Sequence, residues 1–202
     1  MLERIIRYIA DMLPYMFGAL LPLAVFRCFW VSRLKRRRLA YTVCHEIGWL
    51  LFAAFLTGLA SQTIFPAAAV TAADGYKMIN LIPFRVIGET WRAVAFEGNV
   101  HSLVINFLGN IIIFMPIGFF IPLLWTGVSF RRVLFLTLSI SLFIEICQLP
   151  QARVTDIDDI WLNTLGGAAG YTVYLFLDKM VPFWTEKFKV YKKETPLPRS
   201  QS

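Results

Sequence analysis

Three long stretches of the chain contain no Asp, Glu, Lys or Arg. They run from Ile47 to Ala73, from Gly98 to Phe130 and from Ile160 to Leu177. A helix needs about 20 mostly apolar residues to cross the hydrocarbon core of a bilayer, so each stretch can hold one spanning helix. This distribution of charge predicts an integral membrane protein built from helices.

Two further apolar stretches each contain a single charge near one end. Arg27 is the charge in the first, and we expect its long side chain to reach the membrane interface. Glu145 is the charge in the second. With 57% hydrophobic and 16% charged residues, the chain is predicted to be all-α, a polytopic transmembrane helix bundle. Its five or so spans cover about 12–31, 43–62, 103–125, 133–149 and 159–177.

Most Lys and Arg residues fall on one side of this topology. They lie in the loop after the first span, in the turn before Val133 and in the tail after Leu177. Because cytoplasmic loops are enriched in Lys and Arg, the N-terminus is predicted outside and the C-terminus inside. Topology therefore accounts for the net charge of +7, and no nucleic-acid partner is predicted. We expect the basic loop and tail to contact anionic membrane lipids.

The pattern divides the chain into three parts. Residues 1–62 hold two N-terminal spans and the basic cytoplasmic loop, residues 63–177 hold an outer loop and three spans, and residues 178–202 form the basic cytoplasmic tail. The outer loop is expected to contain a short interfacial helix around Arg85 to Ala95. The sequence does not indicate the oligomeric state.

Polar residues recur where the last three spans approach the outer surface. The third span, the fourth span and the start of the fifth contribute Asn106, Asn110, Glu145, Gln148, Asp156, Asp158, Asp159 and Asn163. A carboxylate within a membrane costs on the order of 2.5–3.5 kcal/mol at the bilayer centre, and it normally faces the protein interior with a partner. The spacing therefore predicts a polar pocket that opens outwards.

The aspartates have a second interpretation as helix caps. Thr155 and Asp158 have the spacing of a capping box, and acidic residues in a first helical turn face the positive end of the helix dipole. Capping accounts for one or two of the three carboxylates, which leaves at least one near Arg153 without that explanation. In the following span, Gly166 and Gly170 form a G-x-x-x-G face, which predicts close helix packing within the chain, with dimerisation as the alternative.

Four blocks of sequence resemble the VanZ-like family of bacterial membrane proteins, in order and over about residues 78–175. The blocks are NLIPF at 80–84, NFLGNIIIFMPIGFFIPLL at 106–124, IEICQ at 144–148 and RVTDIDDIWLNTLGGAAGY at 153–171. The family's arginine, acidic run and Asn-x-x-Gly pattern correspond to Arg153, Asp156, Asp158, Asp159, Asn163 and Gly166. The resemblance implies a protein of the bacterial cytoplasmic membrane. One member is associated with low-level resistance to the glycopeptide antibiotic teicoplanin.

The first functional hypothesis is a binding protein without catalytic activity. Its polar pocket would hold the head of a cell-envelope amphiphile, namely a lipid, a lipid-linked wall precursor or an acylated glycopeptide. Arg153 and the polar residues named above would contact that head. The NLIPF segment, with Asn80, Pro83 and Phe84, would form a lip over the pocket, because Pro83 interrupts helix.

Two alternatives stay open. The aspartates and Glu145 could hold a divalent metal ion, whose bound water would attack a lipid phosphate or ester. The sequence lacks a G-x-S-x-G nucleophile elbow and an H-E-x-x-H zinc motif, which weighs against an enzyme, and no other cofactor is predicted. The polar residues could instead form a purely structural cluster, in which Glu145 pairs with Arg153 and the asparagines link helices.

Overall fold

The computed structural model describes residues 2–34, 39–40, 42–64, 79–80, 82–96, 107–149 and 155–192. These residues are almost entirely helical, so the all-α prediction is confirmed. Their helices are α1 (Leu2–Leu34), α2 (Val43–Thr63), α3 (Arg85–Ala95), α4 (Gly109–Leu124), α5 (Phe130–Gln148), α6 (Ile157–Met180) and α7 (Pro182–Glu186). Two-residue strands form two small pairs. The strands are β1 (Leu39–Ala40), antiparallel to β4 (Tyr191–Lys192), and β2 (Ile79–Asn80), parallel to β3 (Thr155–Asp156).

Helices α1, α2, α4, α5 and α6 lie where the sequence predicts spans. Two segments, Ala10–Ser32 within α1 and Val43–Thr63, are long and apolar enough to cross a membrane, and Gly109–Leu124 is a shorter apolar helix. The number of spans stays a prediction.

Helices α1 and α2 form an antiparallel hairpin. Gly58, near the end of α2, lies against Met16 in the first half of α1. Glu46, at the start of α2, binds Arg27 towards the end of α1. The two helices therefore run in opposite directions.

Helices α4 and α6 run side by side in the same direction, with their backbones in contact. Gly166 lies against the carbonyl of Ile111, and Gly170, one turn later, lies against that of Met115. A methyl group at either glycine would overlap the facing carbonyl oxygen. The G-x-x-x-G face is thus occupied by α4 of the same chain.

The remaining contacts fix the direction of α5 and its relation to α2. Ser141 of α5 bonds Asn163 of α6, whereas Thr137, one turn earlier in α5, lies against Gly167, one turn later in α6. Helix α5 is therefore antiparallel to α6. The last residue of α2, Thr63, accepts a hydrogen bond from the last residue of α5, so the C-terminal ends of α2 and α5 lie together.

The long helices alternate in direction along the chain, so the bundle has two distinct ends. One end, which we call the basic end, carries the C-terminal end of α1, the start of α2, the α4–α5 turn and the described segment that follows α6. The other end, which we call the polar end, carries the C-terminal ends of α2 and α5, the start of α4, both strands of the β2–β3 pair and the start of α6. Asn106 and Arg153 lie outside the described residues.

The structure adds to the expectation for Arg27, whose side chain is paired inside the α1–α2 hairpin. Its side chain is buried, and its Nε donates to Glu46 Oε2 at 2.7 Å. The guanidinium also lies 3.2 Å from His45 Nε2 and 4.8 Å from the centre of the Trp49 ring. The other ring nitrogen of His45 bonds the carbonyl of Phe188 at 2.7 Å. The Glu46 carboxylate and the Trp49 ring thus take the place of water around the buried guanidinium.

Candidate functional site

Asp156 is the N-cap of α6. Its Oδ1 accepts from the backbone N–H of Asp158 at 2.9 Å, which satisfies one of the free N–H groups of the first turn. The capping box that the sequence suggested at Thr155 is therefore wrong by one residue. Thr155 belongs to β3 instead, where it pairs with Ile79.

Asp158 is fully buried and holds the NLIPF segment against α6. Its Oδ1 accepts from the backbone N–H of Phe84 at 2.6 Å and from Nε1 of Trp161 at 2.7 Å. Phe84 has φ 63°, in the left-handed region, which costs a non-glycine residue roughly 1–2 kcal/mol. A charge-assisted hydrogen bond to that same residue offsets the strain.

Asn80 fastens the other end of the NLIPF segment. Its Nδ2 donates to Asp156 Oδ1 at 2.8 Å, and its Oδ1 accepts from the backbone N–H of Ile82 at 3.2 Å. Pro83 is exposed in the turn between these two attachments. The predicted lip residues therefore lie at the N-terminus of α6, next to the aspartates.

Asp159 joins the start of α6 to the start of α4. Its Oδ1 accepts a hydrogen bond from Nδ2 of Asn110. Beside this bond, the ring of Trp161 contacts Phe84 at 5.5 Å and Phe107 at 6.0 Å between centroids. The three rings form an aromatic patch over the acidic turn, and the Phe84 ring is exposed.

A second polar group lies deeper, between α5 and α6. We call Ser141, Glu145 and Asn163 the inner cluster; all three are buried. Asn163 Nδ2 donates to Ser141 Oγ at 2.9 Å, and Glu145 is one turn from Ser141 on α5. Asn163 Oδ1 is buried and accepts no hydrogen bond from any residue that the structure describes. A buried acceptor left in that state costs about 1–3 kcal/mol.

Gln148 does not belong to the inner cluster. Its Nε2 donates to the backbone carbonyl of Thr63 at 3.0 Å and links α5 to the end of α2. The sequence grouped it with Glu145 because of helical spacing and the shared IEICQ block. Its hydrogen-bond acceptor is a main-chain carbonyl, and the pattern of side chains in a sequence cannot predict such a partner.

The site thus has two layers at the polar end of the bundle. The outer layer joins Asn80, Phe84, Asn110 and the three aspartates, and the inner cluster lies below it.

The sequence pattern did not assign Trp161 to the site, although its i+3 spacing from Asp158 was a usable signal. Across the described parts of the chain, no three His, Cys, Asp or Glu side chains come together as a possible metal site.

These features define a helical membrane protein with a polar site at one end of its bundle. A family model named VanZ/LLP1 matches residues 47–178. The chain therefore belongs to the VanZ/LLP1 family, and the resemblance seen in the four sequence blocks is confirmed. Neither the curated proteins nor the solved structures contain a match to this chain.

Proposed function

We propose that this protein resides in the bacterial cytoplasmic membrane and binds the polar head of a cell-envelope amphiphile at its polar end. The observation that carries the proposal is Asn163 Oδ1, a buried acceptor that no described residue satisfies. Native proteins rarely bury such groups without a partner, and a bound molecule is one way to supply the missing donor. Asn163 bonds Ser141, which lies one helical turn from Glu145 on α5, so the buried Glu145 carboxylate lies near this acceptor.

The residues of the site favour a head that donates hydrogen bonds. Carboxylates line the outer layer at Asp156, Asp158 and Asp159, and Glu145 lies in the inner cluster. Their negative charge attracts an ammonium group and disfavours an anion at the same place. Amines and sugar hydroxyls therefore suit the site, and lipid-linked wall precursors and acylated glycopeptides carry both.

A hydrocarbon chain has a surface beside this cluster. Leu142 and Ile146 are exposed on α5, one turn apart and adjacent in sequence to Ser141 and Glu145. The exposed Phe84 ring covers the outer layer. In this arrangement the head enters beneath the NLIPF segment, while the chain stays among the lipids along α5.

Replacing Glu145 with Gln should weaken ligand binding about 5- to 10-fold, because a hydrogen bond to a charged group contributes about 1.5–3 kcal/mol and one to a neutral group about 0.5–1.5 kcal/mol. Native mass spectrometry of protein purified gently with its lipids measures the change as loss of a bound species. Glu89→Gln is the matched control, because Glu89 is an exposed carboxylate at the same end. Expression of both variants in a teicoplanin-sensitive bacterium tests whether this chain shares the resistance phenotype.

The outcomes separate binding from a structural role. A bound species present in wild type and Glu89→Gln but absent from a folded Glu145→Gln supports the proposal. A species retained by Glu145→Gln refutes it. No bound species, together with a large loss of thermal stability in Glu145→Gln, identifies the inner cluster as a structural brace. The hydrogen bonds of Asp156 and Asp158 favour such a role for the outer layer.

We also propose that the polar end faces outwards, because cytoplasmic ends are rich in Lys and Arg and meet anionic lipids. In a background without the three native cysteines, a membrane-impermeant thiol reagent should label Glu89→Cys in intact cells. Arg131→Cys, exposed at the basic end, should be labelled only after the cells are permeabilised. The reverse pattern would invert the topology.

A further inference from the structure

Helix α3 has one charged face and one apolar face. At about 100° per residue, Arg85, Glu89 and Arg92 fall within roughly 60° of arc, and Ile87 and Trp91 lie on the opposite side. Arg85 Nε and Glu89 Oε1 form an ion pair at 2.5 Å across one turn of the charged face. Such separation in a short helix is typical of segments that lie in a membrane interface.

Among the residues that the structure describes, little covers the apolar face of α3. Trp91 is 69% exposed and Ile87 is 45% exposed. No other helix within the described residues makes an extensive contact with α3. Within the described residues, the hydrogen bonds that attach this segment to the bundle lie where the chain enters α3. They run from the Phe84 N–H to Asp158 and from Asn80 to Asp156. Without a further contact, two large apolar side chains would remain in water.

The attachment places α3 beside the first turn of α6, where the sequence predicts that the fifth span begins. Asp158 stands in the first turn of α6, and Asn80 pairs with Asp156 immediately before it. A helix tied at that level meets the boundary between headgroups and acyl chains. Tryptophan is enriched at this depth because its ring is amphipathic.

We propose that α3 lies in the bilayer interface at the polar end, with Ile87 and Trp91 inserted between lipids and its charged face towards the headgroups. A second copy of the chain is a poorer occupant. At 1.5 Å per residue the helix is only about 16 Å long. One face of so short a helix is too small for a stable protein interface, which buries roughly 800 Å² on each partner. With Arg85 paired to Glu89, the charged face keeps a net charge of only +1, from Arg92, so we expect apolar insertion to contribute more to binding than attraction to anionic lipid.

Site-directed spin labelling of the full chain tests this proposal. The three native cysteines are replaced with serine, and a nitroxide is attached at Trp91→Cys, at Ile87→Cys and, as the opposite-face control, at Glu89→Cys. The protein is reconstituted in vesicles of phosphatidylethanolamine and phosphatidylglycerol. Relaxation by molecular oxygen, which concentrates in lipid, is compared with relaxation by a water-soluble nickel chelate. We expect a several-fold higher oxygen-to-nickel ratio at positions 87 and 91 than at position 89.

Two results would overturn the proposal. Equal ratios at all three positions, with high nickel accessibility, would show α3 in water. Low accessibility to both reagents at positions 87 and 91 would show a protein cover such as a second copy. The measurement needs no bound amphiphile, so its result is independent of the Glu145 experiment.

Discussion

Alanine at Gly118 is expected to disrupt the packing of α4 against α6. A Cβ atom there would overlap the backbone carbonyl of Gly167, which cannot rotate away as a side chain could. Overpacking of a fixed contact costs about 1–3 kcal/mol and occasionally more, and we expect the upper end of that range because main chain meets main chain. The midpoint of thermal unfolding in detergent should fall by about 6–12 °C.

Gly18→Ala is the matched control for this substitution. Gly18 lies within α1, and a Cβ atom at that position would meet nothing within 4 Å. Alanine there should be neutral or stabilise the helix by up to about 1 kcal/mol, because glycine loses more conformational freedom on folding. If Gly118→Ala proved as stable as Gly18→Ala, α4 and α6 would not be in backbone contact. Gly170→Ala should behave like Gly118→Ala, since it faces the carbonyl of Met115.

The glycine contacts show how far the sequence could predict this packing. The i, i+4 spacing of Gly166 and Gly170 identified a face for close approach, because spacing along one helix is a local property. It left open whether another helix of this chain or a second copy would occupy that face. Gly118 received no role, because its contact with Gly167 depends on the register between two helices, which neither segment encodes alone.

The acidic turn shows the same division between local and distant causes. Helix-start chemistry predicted a capping box with Thr155 at the N-cap, one residue before the Asp156 carboxylate that caps α6. The start is set by β3, whose partner β2 lies far away in the sequence. Asp158 was predicted as a pocket residue, yet its Oδ1 is engaged by the backbone of Phe84 and the ring of Trp161. A main-chain donor in a distant loop leaves no sequence pattern to find.

Replacing Glu46 with Gln is expected to destabilise the α1–α2 hairpin by about 3 kcal/mol. The substitution removes the charge that compensates Arg27, whose side chain is only 10% exposed. Breaking a buried ion pair from one side costs about 3–5 kcal/mol, because the remaining charge stays desolvated. We expect the lower end, since the Glu46 side chain is 27% exposed. The unfolding midpoint in detergent should fall by about 6–12 °C.

Glu89→Gln again provides the control, because it breaks the exposed ion pair with Arg85. Exposed pairs contribute about 0–1 kcal/mol, so its unfolding midpoint should barely change. The double variant Arg27→Met with Glu46→Gln should recover much of the loss, because it removes the buried charge together with its partner. Equal midpoints for Glu46→Gln and Glu89→Gln would mean that water reaches Arg27. A double variant less stable than Glu46→Gln would mean that the guanidinium acts mainly through His45 and the Trp49 ring.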